Sequence, residues 1–288
     1  MAFIDITQVS KSFHSKTGPR EVLHHVSLSV ERGEFTAIVG MMGCGKSTLL
    51  NIVAGLLPSD GGSVTIGGER VQGVRRDAAL VFQNYSLLPW LSALENVRLA
   101  VGAAFPDWPK AKQRERAAAT LELVGLGAAL NRRPKQLSGG MRQRVAIARA
   151  FAIEPQVLFL DEPFGALDAL TRDTLQQELA RLCSSTERPV TTIMITNSVE
   201  EAILLADRIV PMTSGPRATL LAPIPVGLPR PRTATQLARD PHAAHVRAAI
   251  VSALTGVIGD AQGGPGHPVK TSADAPVLSL AEAAQGNS

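Results

Sequence analysis

A glycine-rich loop between an apolar run and a helix-like pattern carries the clearest chemistry in the sequence. It fits the spacing G-x-x-x-x-G-K-[ST], with Gly40, Gly45, Lys46 and Ser47 at the fixed places. Glycines let successive backbone N–H groups curl around a phosphate, and the following helix favours an anion at its start. Lys46 can reach the β- and γ-phosphates of a nucleotide, and the Ser47 hydroxyl can ligate Mg²⁺. An ordinary strand–turn–helix with a chance lysine is the alternative, but both flanks have the character that a phosphate loop requires.

Polar residues also follow two later apolar runs. Asp161 and Glu162 close the run 157–160, which has the composition of a buried parallel strand, and Gln83 follows the run 78–82. Open α/β sheets hold their chemistry at the carboxyl ends of their strands. We therefore expect Asp161 to hold Mg²⁺, Glu162 to polarise an attacking water, and Gln83 to ligate the metal or orient the water. Two solvated acids and a turn glutamine are the alternatives.

The stretch 136–150 predicts a second helix start that favours an anion. Ser138 can cap this helix, and Gly139 and Gly140 leave its first turn nearly bare of side chains. A plain helix cap with two flexible glycines is the alternative. One chain rarely needs two phosphate cradles, so their coexistence predicts that two copies pair across ATP.

The elements that must position these residues follow from the apolar patterns. They are strands within 3–35, a helix over 47–57, a helical stretch over 92–126 with a break near 106–109, a strand over 190–196 and a helix over 199–205. Beyond residue 215 a Pro- and Arg-rich arm precedes a helix from Pro241 to about Leu254. From Gly256 onward, Gly, Pro, Ala and Ser predict a disordered tail.

Composition narrows the class of protein. The chain has 288 residues, is 45% hydrophobic and has a net charge of +4, with its arginines scattered, so a nucleic-acid partner is not expected. Two cysteines without a disulfide pattern indicate a reducing compartment, and Cys44 is interpreted as a small loop residue rather than a redox group. No apolar run approaches the roughly 20 residues of a membrane span. We expect a cytosolic protein whose membrane role, if any, needs a separate partner.

Together these stretches resemble the ATP-binding subunit of ABC transporters over residues 2–215. Five motifs occur in family order: 40–47 resembles Walker A, Gln83 the Q-loop, 137–141 the signature, Asp161-Glu162 Walker B with its catalytic glutamate, and 164–168 the D-loop. The resemblance implies an α/β fold: a P-loop NTPase core (RecA-like, mostly parallel sheet) with an antiparallel β subdomain and an α-helical signature subdomain at about 84–153. Residues 216–255 are then a C-terminal extension, and 256–288 the tail.

The resemblance also implies site residues, position by position. Catalytic roles fall on Glu162, Gln83 and the switch position Asn197. Metal ligands are Ser47, Gln83 and Asp161. Nucleotide contacts are Phe13, where the family has an aromatic stacking on adenine, and Gly40, Met41, Met42, Gly43, Cys44, Gly45, Lys46, Ser47, Thr48, Ser138, Gly139, Gly140 and Asp168. The implied cofactors are ATP and Mg²⁺.

The implied partners are a second ATPase subunit (the same chain or a close paralogue), separate transmembrane permease subunits and, indirectly, a substrate-binding protein, at the cytoplasmic face of the inner membrane. The stretches 81–90 and 160–172 resemble importers for nitrate, cyanate, sulfonate or taurine, and 214–220 with the Pro-Arg-Pro-Arg arm is most similar to the nitrate branch. A non-transport ABC ATPase, a low-turnover regulatory module and an exporter subunit are the alternatives.

The sequence departs from the family pattern in two places, Met41-Met42 and Asn197. Met41 and Met42 replace small or polar loop residues, but their backbone N–H groups remain. Asn197 stands where the family usually has a histidine that contacts the γ-phosphate. Asparagine can donate a hydrogen bond but cannot titrate. We therefore expect binding and dimer closure to be retained, while hydrolysis is slower or relies more on Glu162.

Overall fold

A six-stranded sheet forms the centre of the fold in the computed structural model, which describes residues 2–15, 18–165, 167–183 and 189–262. In order across the sheet, its strands are β10 (Ile224–Pro225), β9 (Arg208–Pro211), β3 (Phe35–Val39), β8 (Thr191–Thr196), β7 (Val157–Asp161) and β6 (Ala78–Val81). Neighbouring strands are parallel except for β10 and β9. The strands β3, β7 and β8 are almost wholly buried, which explains their continuous apolar runs.

A second, antiparallel sheet covers one face of the core. Its order is β2 (Gly18–Val30), β1 (Ile4–Ser15), β4 (Gly61–Ile66) and β5 (Glu69–Arg70). The helix α1 (Lys46–Val53) lies in the hydrophobic cluster that joins both sheets. This helix ends four residues before its predicted end, because Gly55 has φ of +75° and approaches the backbone of Gly73, where any Cβ would clash.

Three helices form the subdomain that carries the signature stretch. They are α2 (Ala93–Ala104), α3 (Lys110–Leu123) and α4 (Gly139–Phe151), with short 3₁₀ turns at Gly127–Ala129 and Pro134–Gln136. Ser92 and Ser138 cap α2 and α4 by accepting hydrogen bonds from backbone N–H groups in the first turn. The predicted fold class is confirmed in its α/β core, its antiparallel subdomain and its helical subdomain.

The C-terminal part packs against the core. It contains the helices α7 (Ala234–Arg239) and α8 (Pro241–Gln262). The helices α5 (Ala169–Cys183) and α6 (Val199–Leu205) precede and follow β8. Leu237, Ala243 and Ile250 are buried in the same cluster as α6. Within the described part of the chain no helix is both long and apolar enough to cross a bilayer.

The helix α8 is longer than predicted. It continues to Gln262 rather than ending at about Leu254. A glycine inside a helix costs only about 1 kcal/mol relative to alanine, which is too little for Gly256 to end a run of good helix formers. The rest of the predicted tail, 263–288, lies outside the described residues. The boundary of the extension at residue 215 stays a prediction.

Candidate nucleotide site

The glycine-rich loop follows β3 and lies at the carboxyl edge of the parallel strands. An open cleft of about 400 Å³ lies beside it. The cleft is lined by Arg20, Val22, Met42, Gly43, Cys44, Gly45, Lys46, Ser47, Thr48, Gln83, Glu162, Gly215 and Pro216. Its position agrees with the rule that open α/β sheets bind ligands beyond the ends of their strands.

The loop has the backbone that its glycines predict. Gly45 has φ of +115°, a conformation that side chains disfavour, and it directly precedes α1. A Cβ at Gly40 would lie 3.0 Å from the Cys44 sulfur and 3.1 Å from the Met212 carbonyl oxygen. Cys44 is buried, and this burial raises the pKa of its thiol. That environment fits a packed loop residue better than a reactive one.

Lys46 is the buried cation of the site. Its side chain is 4% exposed, and its ammonium donates to the carbonyl oxygens of Gly40 (2.9 Å) and Met41 (3.0 Å) and to the Asn197 amide oxygen (2.6 Å). These three bonds use all three donors of a lysine. The carboxylate of Glu162 lies 3.9 Å from the same nitrogen.

Asn197 joins Lys46 to Glu162. Its amide nitrogen donates to the Glu162 carboxylate at 2.8 Å, while its oxygen accepts from Lys46. The sheet order explains this bridge, because β8 lies between β3 and β7. The residue after β8 therefore falls between the phosphate loop that follows β3 and the acid that follows β7.

Glu162 stands in a strained conformation at the end of β7. Its φ is +42°, which is uncommon for a residue with a Cβ, and its N–H donates to the Ile195 carbonyl of β8 at 3.0 Å. Gln83 makes a long contact of 3.4 Å from its amide nitrogen to the other Glu162 oxygen. The predicted acid, amide and switch residues thus meet around one carboxylate.

Asp161 and Ser47 form the candidate metal site. The Ser47 hydroxyl donates to the Asp161 carboxylate at 3.1 Å. Burial raises the pKa of Asp161, and the hydrogen bond from Ser47 partly offsets that effect. A hydroxyl and a carboxylate are hard oxygen ligands, so this pair fits Mg²⁺.

The signature residues lie apart from the cleft. Ser138 caps α4, and Gly140 packs so closely against Thr171 that an added Cβ would lie 2.3 Å from the threonine methyl. The Thr171 N–H donates to Asp168 at 3.0 Å, and this bond is the main reason that the pKa of Asp168 is lowered. Gly139 begins α4 at the same place. The signature and the D-loop aspartate therefore form one surface that does not line this chain's own cleft.

Phe13 lies near the cleft but is not among its lining residues. It is 42% exposed on β1, paired with Arg20 of β2. Its role against adenine stays a prediction. The sequence analysis missed Arg20, Val22, Gly215 and Pro216, which line the cleft. Their residue types carried no signal, and the contact depends on a bridge between Leu23 and Ala218 that brings residues 214–220 beside β2.

The chain was compared with known proteins. A family model described as ABC transporter matches residues 23–165. The nitrate import ATP-binding protein NrtD of Synechococcus elongatus is 49% identical over 85% of this chain and 89% of the relative. The bicarbonate transport ATP-binding protein CmpD of Synechocystis sp. is 47% identical over 83% of this chain and 84% of the relative. A solved dimeric post-hydrolysis state of the ATP-binding cassette MJ0796, bound to ADP and Pi, matches with a TM-score of 0.70 at 32% identity, over 77% of this chain and 98% of that chain.

Proposed function

The chain belongs to the ABC transporter family, and from this premise we propose that it is the ATP-hydrolysing subunit of an importer for nitrate or a similar small anion. The observation that carries the proposal is the hydrogen-bonded group of Lys46, Asn197 and Glu162 at the phosphate loop. The relative named for nitrate import supports nitrate as the cargo. The relative named for bicarbonate transport supports bicarbonate as the alternative.

ATP binding begins at the phosphate loop. Its backbone N–H groups and the start of α1 attract the phosphates, and Lys46 supplies the positive charge. Because all three donors of Lys46 have protein partners, the phosphates must replace at least one of them. The Asn197 oxygen is the partner that gives way, since the carbonyls of Gly40 and Met41 belong to the loop itself, while the Asn197 amide nitrogen keeps its bond to Glu162.

Ser47 and Asp161 are the residues that would hold Mg²⁺, with Gln83 as a third candidate. Among the residues that the structure describes, no group of three or more His, Cys, Asp and Glu side chains could hold a metal. The site therefore depends on this mixed set of ligands together with phosphate oxygens. When bound, the ion neutralises charge on the β- and γ-phosphates.

Glu162 is the general base. It takes a proton from the water that attacks the γ-phosphorus, while the bond from that phosphorus to the ADP oxygen breaks. Asn197 holds the carboxylate in place by donating to it, and Gln83 contacts its other oxygen. General-base assistance of this kind is typically worth about 10²–10⁴-fold in rate.

The proposed working unit is a dimer, with two ATP molecules between two cassettes. Ser138, Gly139, Gly140 and Asp168 do not line the chain's own cleft, so they are free to meet ATP held by a partner. The partner is a second copy or a close paralogue. The dimeric state of the similar solved cassette supports this arrangement.

Separate membrane subunits and a substrate-binding protein complete the proposed importer, with this chain at the cytoplasmic face of the inner membrane. An apolar groove of about 340 Å³ supports the docking of a membrane subunit. The groove includes Leu56 and Val74, which are 48% and 70% exposed. Exposed apolar surface of this kind favours contact with another protein.

The test is uptake of labelled nitrate, bicarbonate, cyanate and taurine by cells that carry the wild-type chain or Lys46→Ala. Lys110→Ala, which removes an exposed lysine of α3 that does not line the cleft, is the matched control. Loss of nitrate uptake alone in Lys46→Ala is the expected result. If uptake of another anion is lost instead, that anion is the cargo, and the proposed ATPase role stands. No change in any uptake, with no membrane subunit co-purifying, favours a non-transport or regulatory ATPase.

A further inference from the structure

The Pro- and Arg-rich arm buries one of its arginines. Arg232 is 5% exposed, although the composition of the arm is typical of solvent-exposed chain. One terminal nitrogen of its guanidinium donates to the carbonyl oxygens of Ile203 and Ala206, both at 2.7 Å. The rest of the guanidinium donates to the carbonyl oxygen of Leu228, at 3.1 Å from Nε. Because burying a charge is costly unless it is hydrogen-bonded, the three carbonyl partners of this guanidinium show what it stabilises.

Two of those carbonyl groups lie at the C-terminal end of α6. Ile203 and Ala206 belong to the C-terminal end of α6, where carbonyls lack partners within the helix and the dipole favours a cation. Arg232 therefore caps α6 from the outside. Burial lowers the pKa of Arg232 to about 10, so the guanidinium remains charged at neutral pH.

The other end of α6 is tied to the switch position. Ser198 caps the helix by accepting from the N–H of Glu201, and the Glu201 carboxylate accepts from the Thr196 hydroxyl at 2.7 Å. Thr196 and Ser198 flank Asn197 directly. A shift of α6 along its axis would therefore move the backbone that carries Asn197.

The same arm also reaches the strand that leads to the phosphate loop. Arg230 pairs with Asp207 at 2.9 Å, and the other oxygen of Asp207 accepts from the N–H of Phe35 at 2.8 Å. Phe35 begins β3, which ends at the loop. Two arginines of one short segment thus fix α6 relative to β3.

We propose that Arg232 is a positioning residue for ATP hydrolysis, which holds α6 so that Asn197 stays between Lys46 and Glu162. The inference rests on the ATPase role proposed above. None of the residues that accept hydrogen bonds from Arg232 lines the nucleotide cleft. It acts through Asn197, so its effect falls on the catalytic rate rather than on ATP binding.

A double-mutant cycle on the purified full-length chain tests this coupling. The ATPase kcat and the KM for ATP are measured for the wild type, Arg232→Met, Asn197→Ala and the double variant. We expect Arg232→Met to lower kcat by about 2- to 30-fold, the range of couplings carried by packed networks, with KM for ATP nearly unchanged. In the Asn197→Ala background the same change has no further effect.

Arg116→Gln is the matched control, because Arg116 donates to the carbonyls of Phe151 and Ala152 at the end of α4, remote from Asn197. If Arg116→Gln lowers kcat, the fold loss in the double variant with Asn197→Ala should equal the product of the two single fold losses. If Arg232→Met does not fold, Arg232→Lys replaces it, since a lysine keeps the charge but loses the planar fork and should retain part of kcat. Losses from Arg232 and Asn197 that simply multiply would overturn the inference. A wild-type chain without ATPase activity would instead overturn the proposed function.

Discussion

The bridge formed by Asn197 gives the most discriminating prediction about hydrolysis. Asn197→Ala removes both of its hydrogen bonds, to Lys46 at 2.6 Å and to Glu162 at 2.8 Å. Asn197→Asp has nearly the same shape and keeps an acceptor for Lys46, but it cannot donate to Glu162. We expect both variants to lose rate, because the donor that orients the general base is absent in each.

The magnitude follows from the contact that is lost. Glu162 is 18% exposed, so water only partly replaces the missing donor. A hydrogen bond to a charged group is worth about 1.5–3 kcal/mol, which corresponds to about 10- to 150-fold in kcat. Among the described residues, the Glu162 carboxylate then keeps the long contact with Gln83 and the distant charge of Lys46.

Steady-state ATPase rates at saturating Mg²⁺ and ATP measure the effect, with thermal unfolding as the control for folding. Asn197→His completes the series, because a neutral imidazole can accept from Lys46 and donate to Glu162 and can also take up a proton. We expect Asn197→His to hydrolyse ATP faster than the wild type and to acquire a pH-dependent step near the ordinary histidine pKa of about 6.5. A turnover that is unchanged by His, or unchanged by both Ala and Asp, would refute this reasoning.

Three further predictions concern other parts of the site. Glu162→Gln removes the base but not the phosphate cradle, so it should retain ATP and accumulate as a dimer in size-exclusion chromatography with ATP and Mg²⁺; a variant that stays monomeric contradicts the sandwich arrangement. Gly140→Ala should lower the unfolding free energy by about 1–3 kcal/mol, because its Cβ would meet the Thr171 methyl, and Thr171→Ser should restore most of the loss in denaturant melts; a loss that Thr171→Ser leaves untouched contradicts that contact. Burial raises the pKa of Glu201 above its ordinary 4.5, so stability is lost as the pH rises from 4.5 to that raised value, because only the unfolded state gives up the proton there; at lower pH the carboxyl is neutral in both states. Glu201→Gln should therefore gain stability relative to the wild type as the pH rises above 4.5, and a difference that stays constant with pH would show that Glu201 is not the titrating group.

The local patterns of the sequence predicted the parts of the site that depend on local backbone. The spacing from Gly40 to Ser47 requires a phosphate loop, and the run that ends at Asp161 requires a buried strand, so both could be assigned without a structure. The contact of Asn197 with Lys46 and Glu162 could not, because it depends on β8 lying between β3 and β7. No local pattern specifies that order.

The composition of the Pro- and Arg-rich arm did not predict that one of its arginines is buried. Prolines and arginines predicted an extended segment, and the segment is indeed mostly without helix before α7. The burial of Arg232 depends on carbonyl groups of α6, which lie 26 and 29 residues earlier in the chain. A sequence pattern in the arm cannot show that a distant helix end needs a cation.

The order of β3, β8 and β7 also has a mechanical consequence. Lys46, Asn197 and Glu162 follow three adjacent strands whose parallel ladders fix their register, so the backbone segments that carry these side chains keep their relative positions. Gln83 differs, because it follows the edge strand β6 and precedes Tyr85 and Ser86, which have positive φ and whose carbonyl oxygens accept hydrogen bonds from Arg149. Gln83 is therefore the residue of this group whose following segment leads to the helical subdomain. A change of nucleotide at the cleft would therefore reach the helical subdomain through Gln83 and the residues that follow it.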